Sequence, residues 1–441
     1  MNQDTTKVIL VISVAVVIAM VFLELTLARI VRYTTTYSSG FGLAFFASIV
    51  FPQIALGFMI IFSSRIITRN IVGKNTPYLQ VLQKTIIISM IIITILLSSI
   101  WIEMFVYSKY TMNLVILVVA ISYSTSVFAL VLLAYRFLIW LKAYRNHVIL
   151  SYVIASSLLS LTVALTMANV IYMLASQIPI IFRNSSHMLA YVVSNPYFET
   201  TFLYVSIASF VSIWLASLFL IREYYAHTNR YKYLLLSIVP LFYFLTQFQP
   251  FLIQLFAEFR LSNPMAFGIF YALFISYSKP IGGIFFGLAF FAVARKIKVT
   301  PLKDYLVLAG MGLIFFFTAN QAIVLNNLTY PPFGVAASSL LGLASFLVFI
   351  GIYGSALSFA QDTSIRRKVR DSVSNDFRLM DRIGMSEIQE QISKRVTTIT
   401  RNLTKEMEIE TGIEPSLKEE EVQNYISEVI NELQEHRKAK K

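Results

Sequence analysis

The chain has 441 residues, of which 57% are hydrophobic and only 13% are charged. A soluble domain carries about 25% charged residues, so this composition excludes an ordinary soluble protein and indicates a chain that lies in lipid. The net charge of +13 comes from residues 1–360, which hold 21 basic and 7 acidic side chains, whereas residues 361–441 hold 15 and 16. A nucleic-acid-binding protein would carry a basic patch on its soluble part, so no nucleic-acid partner is expected.

The chain contains no cysteine. This excludes disulfides, thiolate nucleophiles, iron–sulfur clusters and thiolate zinc sites. The first apolar segment, Val8–Ala28, is longer than the apolar core of a usual signal peptide. We expect it to be a membrane span, with cleavage after Thr26-Leu27-Ala28 as the alternative.

Apolar segments then follow one another as far as position 360. A helix needs about 20 residues to cross the hydrocarbon core, and no segment alternates with the period of a barrel strand. We therefore predict an all-α integral membrane protein with about ten transmembrane helices, in a range of about nine to eleven. The predicted spans lie near 8–28, 41–63, 85–106, 114–141, 148–175, 201–221, 233–256, 274–294, 305–325 and 336–360.

Basic residues indicate the orientation of these spans. With both termini in the cytoplasm, fifteen Lys and Arg residues lie on the inner side and six on the outer side. The positive-inside rule favours this arrangement, and we predict a multi-pass protein of the plasma membrane. Trp101 and Trp140 fall at opposite ends of their spans, as interfacial anchors do.

The eighth span contains Ser278-Lys279-Pro280 and Gly282-Gly283. It is interpreted either as a broken or re-entrant helix or, preferably, as a surface helix over 265–277 followed by an ordinary span. In the second case Lys279 reaches the outer headgroups.

Sites for chemistry are lacking in the sequence. The four histidines lie in predicted loops or the tail, and Glu24 and Glu103 sit near the outer ends of spans. No haem ligand pair, buried carboxylate relay, zinc-protease motif or paired carboxylates can be identified. We therefore predict no enzymatic activity, no cofactor and no metal site.

Uncharged polar residues do occur at membrane depth. One interpretation is hydrogen bonding and close packing between helices, as with Ser338/Gly342 and Gly351/Ser355. The other is a cavity for a neutral solute, because amides beside prolines can coordinate it. Pro52-Gln53 and Gln249-Pro250 each fall in the second helix of a five-helix half, which is weak support for an inverted repeat. The candidate cavity-lining residues are Gln53, Gln247, Gln249, Lys279, Asn320 and Gln321.

Residues 361–441 form a charged tail that begins with the basic run Arg366-Arg367-Lys368. Helices are predicted near 376–410 and 417–437, forming a cytoplasmic hairpin; the spacing resembles a coiled coil, but two repeats are too few to define a supercoil. Such a hairpin makes a poor core by itself, so it needs a homo-oligomeric or cytoplasmic protein partner. Its apolar stripe consists of Ile388, Ile392, Val396, Ile399, Leu403, Val422, Ile426, Val429 and Leu433.

Three functions remain open from the sequence. A transporter or permease of an uncharged or weakly polar solute is the narrow first choice, because prolines and amides at midmembrane call for a cavity. Since no midplane carboxylate is evident, facilitated diffusion is favoured over proton coupling. The alternatives are a membrane sensor or signalling scaffold that acts through the tail, and an accessory subunit whose polar stripes face other membrane proteins.

Overall fold

The computed structural model confirms the predicted class of a helical, multi-pass membrane protein. Among the described residues, eight helices are long and apolar enough to cross a membrane, and Pro280–Arg295 is a shorter apolar helix. The structure describes residues 3–31, 39–71, 77–143, 147–176, 180–182, 196–225, 254–263, 278–296, 300–321 and 330–361, with isolated residues at 237–238, 240–241, 266–267, 270, 325 and 398.

Each of the first six helices contains one apolar segment of the sequence and extends beyond it, by as much as eight residues at the end of the second helix and the start of the third. Their bounds are α1 Gln3–Val31, α2 Ser39–Ile71, α3 Pro77–Tyr107, α4 Met112–Ala143, α5 His147–Ala175 and α6 Pro196–Tyr225. The later helices are α7 Ala257–Ser262, α8 Ser278–Lys296, α9 Thr300–Ala319, α10 Val335–Ser339 and α11 Leu341–Gln361. Most of the predicted seventh span and nearly all of the tail lie outside the described residues.

The long helices form a ring around the last one. Along the chain, α1 packs on α2, α2 on α3, and so on to α6, which packs on α8. Helix α8 packs on α9, and α9 returns to α1, which closes the ring. Helix α11 lies inside and contacts α2, α3, α4 and α9. Residues Val335–Leu357 are all buried, so the last span is a core element and not a lipid-facing one.

The last span is interrupted, whereas the sequence predicts one helix over 336–360. Helix α10 ends at Ser339 and α11 begins at Leu341, with Leu340 between them. Before α10 stand Pro331 and Pro332, and Gly334 has a φ of 98°. Glycine adopts this left-handed conformation without steric cost, so the chain can turn sharply into the helix.

In the structure, the described part of the eighth predicted span is one unbroken helix. Helix α8 begins at Ser278, passes through Gly282-Gly283 and ends at Lys296. Pro280 is accommodated because proline is tolerated in the first turn, where backbone N–H groups lack helical partners anyway. The proposed surface helix over 265–277 lies almost entirely outside the described residues.

Two short strands join loops at one end of the bundle, which we call the sheet face. Strand β1, Lys109–Thr111, follows α3, and β2, Ile180–Phe182, follows α5. They pair antiparallel, with Tyr110 opposite Ile181. The sequence does not predict them, because each strand is only three residues long. Their pairing ties the α3–α4 connection to the segment after α5.

Candidate functional site

A buried carboxylate meets the start of the last span. Glu24, on α1, is fully buried. Its Oε1 accepts hydrogen bonds from the backbone N–H groups of Gly334 (2.7 Å) and Ala336 (3.2 Å), and its Oε2 accepts one from Ala337 (2.7 Å). The first N–H groups of a helix have no partner within the helix, and Glu24 supplies the acceptors. It therefore fixes α10 to α1.

Gln53 extends this contact to α2. Its Nε2 lies 3.5 Å from Glu24 Oε2. Its Oε1 is buried and has no hydrogen-bond partner among the residues that the structure describes. Gln53 follows Pro52, which lies inside α2. One predicted cavity residue is therefore in contact with a carboxylate that the sequence analysis places at a span end.

Ser122 of α4 lies at the interruption of the last span. Its Oγ is 2.8 Å from Ser338 O and 2.9 Å from Ser339 O, and it accepts a weak hydrogen bond from Gly342 N–H at 3.4 Å. In a regular helix the Gly342 N–H would bond to the Ser338 carbonyl. A side chain inserted into this backbone ladder is a known cause of a kink. The hydroxyl thus bridges the groups that the interruption separates.

Two further polar contacts join α4 to the core. The Tyr123 hydroxyl donates to Asn320 Oδ1 at 3.1 Å, and the Ser126 and Ser345 hydroxyls are 2.5 Å apart. Asn320 comes directly after the end of α9. The next residue, Gln321, is buried, and its Nε2 has no hydrogen-bond partner within the described ranges. We call Glu24, Gln53, Ser122, Tyr123, Ser126, Asn320, Gln321, Ser338, Ser339 and Ser345 the polar core.

The structure brings three of the six predicted cavity residues into this core. Gln53, Asn320 and Gln321 are buried within it. Lys279 lies in the first turn of α8, with its side chain outside the described residues. Gln247 and Gln249 fall outside them, as does the tail stripe Ile388, Ile392, Val396, Ile399, Leu403, Val422, Ile426, Val429 and Leu433.

Glu24 and Ser122 are not among the candidate site residues that the sequence indicates. Glu24 is assigned there to an outer span end, because the run of apolar residues stops soon after it. The structure shows which groups surround this carboxylate, since its partners come from residues about 310 positions further along the chain. The available signal was Pro331-Pro332-Phe333-Gly334 directly before the last span, because such a start leaves helix N–H groups that need an acceptor.

A second buried charged side chain, Arg136, lies nearer the end of the bundle opposite the sheet face. Arg136 of α4 is 2% exposed. Its guanidinium carbon is 4.9 Å from the ring centroid of Tyr353, 5.5 Å from that of Tyr78 and 5.8 Å from that of Trp140. Cation–π attraction stabilises such a cation out of water. Trp140 is fully buried here, so the prediction that it anchors the chain at the headgroups is wrong.

The sheet face covers the start of the last span. Glu103 accepts hydrogen bonds from Thr111 N–H at 2.7 Å and from its hydroxyl at 3.0 Å. Tyr110 stacks on Tyr330, whose hydroxyl donates to Met104 O at 3.0 Å. Burial, and then the nearby Tyr330, raise the pKa of the Tyr110 phenol. This side chain therefore stays neutral.

The polar core consists of hydrogen-bonding groups from several helices. Within the described ranges no group of three or more His, Cys, Asp or Glu side chains could hold a metal ion. The atoms that line the interrupted span are hydroxyls, amides, backbone groups and one carboxylate. Such groups can bind a polar solute or a proton.

Comparison of this chain with protein-family models, with curated proteins and with solved structures finds no match.

Proposed function

We propose that this protein is a transporter or permease for a small uncharged or weakly polar solute. The observation that carries the proposal is the interrupted span α10–α11, which is enclosed by the helix ring and meets a polar core. Transporters place solute sites at discontinuous helices, where irregular backbone lines a cavity. The interruption therefore supports transport more directly than the Pro-Gln and Gln-Pro pairs do.

The polar core also contains atoms with spare bonding capacity. Gln53 Oε1, Gln321 Nε2 and Ser338 Oγ are buried without a hydrogen-bond partner among the described residues. Buried polar atoms are normally paired. One of these atoms is an acceptor, one is a donor and the hydroxyl is both. This combination suits a solute with hydroxyl or amide groups and no net charge.

Solute uptake tests the proposal directly. We would reconstitute the protein in vesicles and follow swelling by stopped-flow light scattering with glycerol and with urea. We expect faster uptake than in empty vesicles, and loss of that increase when Gln53, Gln249 and Gln321 are all replaced by Leu. Full uptake by the triple variant would show that the amides do not form the site.

Thiol labelling tests whether the core opens to both sides of the membrane. Because the chain has no cysteine, Ser338→Cys introduces a unique thiol. We would treat sealed vesicles with a charged, impermeant methanethiosulfonate from outside, or from inside after loading. Transport by alternating access predicts labelling of this thiol from either side.

Two control variants define the limits of this assay. Ile95→Cys replaces a side chain that is 60% exposed on the outside of the bundle, where lipid would cover it, and Val17→Cys replaces a fully buried one. Neither should react with the charged reagent. Reaction of the Ser338→Cys thiol from one side only, or from neither side, would contradict transport.

A sensor or signalling scaffold is the second candidate, and one observation favours it. Helix α11 is the enclosed helix of the bundle, and it ends at Gln361, where the charged tail begins. A displacement of α11 would therefore reach the tail directly. We would purify the full chain and a chain ending at Gln361 from native-like membranes and compare their masses and co-purifying proteins. A stoichiometric, tail-dependent partner or oligomer would favour this function, whereas equal preparations would favour transport.

A further inference from the structure

We propose that Glu24 and Gln53 form a proton-binding pair that controls the start of the interrupted span. This inference rests on the proposed function only in its consequence, which is that proton binding would be coupled to solute movement. It departs from the sequence-based preference for uncoupled diffusion, which rested on the lack of an evident midplane carboxylate. An ionisable side chain within a membrane-spanning helix is costly and is normally functional, and Glu24 lies buried within the candidate span Thr5–Leu27.

The surroundings of Glu24 consist of hydrogen-bond donors. They are the N–H groups of Gly334, Ala336 and Ala337 and the amide of Gln53. All four suit an ionised carboxylate, which can only accept hydrogen bonds. Burial away from water opposes the same charge. Two opposing influences of this kind allow a modest rearrangement to decide whether the proton is bound.

No cationic side chain of the described residues contacts Glu24. Helix α1 packs against α2, α9 and α10. Helix α10 carries no titratable residue, and the acidic residue of α9, Asp304, pairs instead with Lys7 at the other end of α1. The remaining charged residues of these helices are Asp4, Arg29, Arg65, Arg69 and Lys303, and the side chains of Asp4, Arg29 and Arg69 lie outside the described residues.

Gln53 can form a hydrogen bond with either protonation state of Glu24. In the present arrangement its Nε2 faces Glu24 Oε2 while its Oε1 has no hydrogen-bond partner within the described part of the chain. A proton from water that binds Glu24 Oε2 converts this oxygen into a donor, and the carboxyl charge changes from −1 to 0. Rotation of the Gln53 amide by half a turn then presents Oε1 as its acceptor. In the protonated state Gln53 Oε1 would therefore have a partner.

Proton binding would loosen α10. Glu24 Oε2 is also the acceptor for the Ala337 N–H at 2.7 Å. A carboxylic acid hydroxyl is a weaker acceptor than a carboxylate oxygen, so this hydrogen bond weakens when the proton binds. The N–H groups of Gly334 and Ala336 keep their hydrogen bonds to Glu24 Oε1. The proton would therefore release one of the contacts that hold the interrupted span against α1.

Infrared difference spectroscopy can observe this proton without knowledge of any solute. We would titrate the full-length protein in lipid nanodiscs from about pH 9 to about pH 4 and follow the C=O stretch of buried carboxylic acids. We expect a band that is lost in Glu24→Gln and retained in the control Glu103→Gln. In Gln53→Leu the band should move to higher frequency, because the acid loses its hydrogen-bond acceptor.

Hydrogen exchange provides a second measurement. The amides of 334–337 should exchange faster at low pH, after correction for chemical exchange, and Glu24→Gln should abolish this dependence. The proposal would be overturned if Glu24→Gln kept both the carboxylic acid band of the unaltered protein and the pH dependence of amide exchange at 334–337. If Glu24→Gln does not fold, an unshifted band in Gln53→Leu would overturn it instead.

The outcomes separate this inference from transport. A Glu24 band together with Ser338→Cys labelling from one side only would retain the proton-binding pair and reject transport. Labelling from both sides without a Glu24 band would do the opposite.

Discussion

Ser122 shows how one hydroxyl can shape a membrane helix. The carbonyls of Ser338 and Ser339 are buried, and Ser122 Oγ is close to both. Lipid offers these carbonyls no water, so their alternative partners must come from protein. The hydroxyl therefore permits the interruption at Leu340 at a moderate energetic cost.

Replacing this hydroxyl should destabilise the protein. We expect Ser122→Ala to lower the free energy of unfolding by about 1–2 kcal/mol, because buried carbonyls lose a donor. The matched control is Ser124→Ala, since Ser124 is more exposed and donates to Met167 Sδ at 3.4 Å. Its effect should stay within about 0.5 kcal/mol. Thermal unfolding in detergent measures both, and equal effects would show that the Ser122 contact contributes little.

The residue scale is also where the sequence is least informative. Gln53, Asn320 and Gln321 could be proposed from the sequence because an amide inside an apolar run is conspicuous. The hydrogen-bond partners of these amides could not be proposed from the sequence, since Tyr123 and Asn320, for example, are separated by 197 positions. Glu24 fails for the same reason, because hydropathy gives the distance of a residue from a span end and not the groups packed beside it.

Glycines determine how closely the helices of the core approach one another. A Cβ built at Gly287 of α8 would lie 2.5 Å from Gly310 O of α9, and one at Gly351 of α11 would lie 2.5 Å from Ala309 Cα. Small residues let helix backbones approach closely in membranes, where packing and hydrogen bonds replace the hydrophobic effect as the main stabilising forces. Helix α9 is thus packed tightly against α8 and α11.

A methyl group at this contact should separate the helices. We expect Gly351→Ala to destabilise the protein by about 1–3 kcal/mol, because the atoms it meets are backbone atoms of α9 that cannot rotate away. Gly57→Ala is the control, since its nearest neighbour is the flexible end of Met90 at 2.9 Å. That variant should be nearly neutral or slightly stabilising, because alanine favours helix by about 1 kcal/mol. Unfolding midpoints in one detergent compare the two, and equal midpoints would contradict close packing of α9 and α11.

At the level of helices, composition and length predict much of the fold. A backbone in lipid must be helical, so each apolar run of sufficient length identifies a helix. The sequence also suggests Gly351/Ser355 as a packing site, and Gly351 does contact α9 closely. It does not predict the interruption at Leu340, because that feature depends on Ser122, 216 positions earlier. The sequence also places the end of the ninth span near 325. In the structure α9 ends at Ala319, and the side chain of Asn320 accepts a hydrogen bond from the Tyr123 hydroxyl.

Closure of the ring brings the first helix against the ninth predicted span. Lys7 Nζ of α1 lies 2.7 Å from Asp304 Oδ2 of α9. Both side chains are partly exposed, so the ion pair adds little stability, but it reports that these two helix ends are neighbours at one end of the bundle. Sequence order alone does not predict this neighbourhood.

Crosslinking can test ring closure in the whole molecule. The chain has no native cysteine, so Lys7→Cys with Asp304→Cys gives a defined pair for a short bis-maleimide. A protease site inserted in the predicted loop after α6, near 226–232, would separate α1 from α9 after cleavage. We expect the two fragments to stay joined on a denaturing gel after crosslinking, because the ion pair places both side chains within reach of the reagent.

The control pair uses the same cleavable chain with Ile95→Cys and Asp304→Cys. Ile95 lies on the outside of α3, and 60% of its surface is exposed. Helix α3 lies on the other side of α2 from α1 in the ring, so these fragments should separate after cleavage. Separation of the Lys7→Cys/Asp304→Cys fragments would contradict an intramolecular ring. A band at twice the chain mass without cleavage would instead assign the α1–α9 contact to two copies, and the polar core would then require a neighbouring chain for its completion.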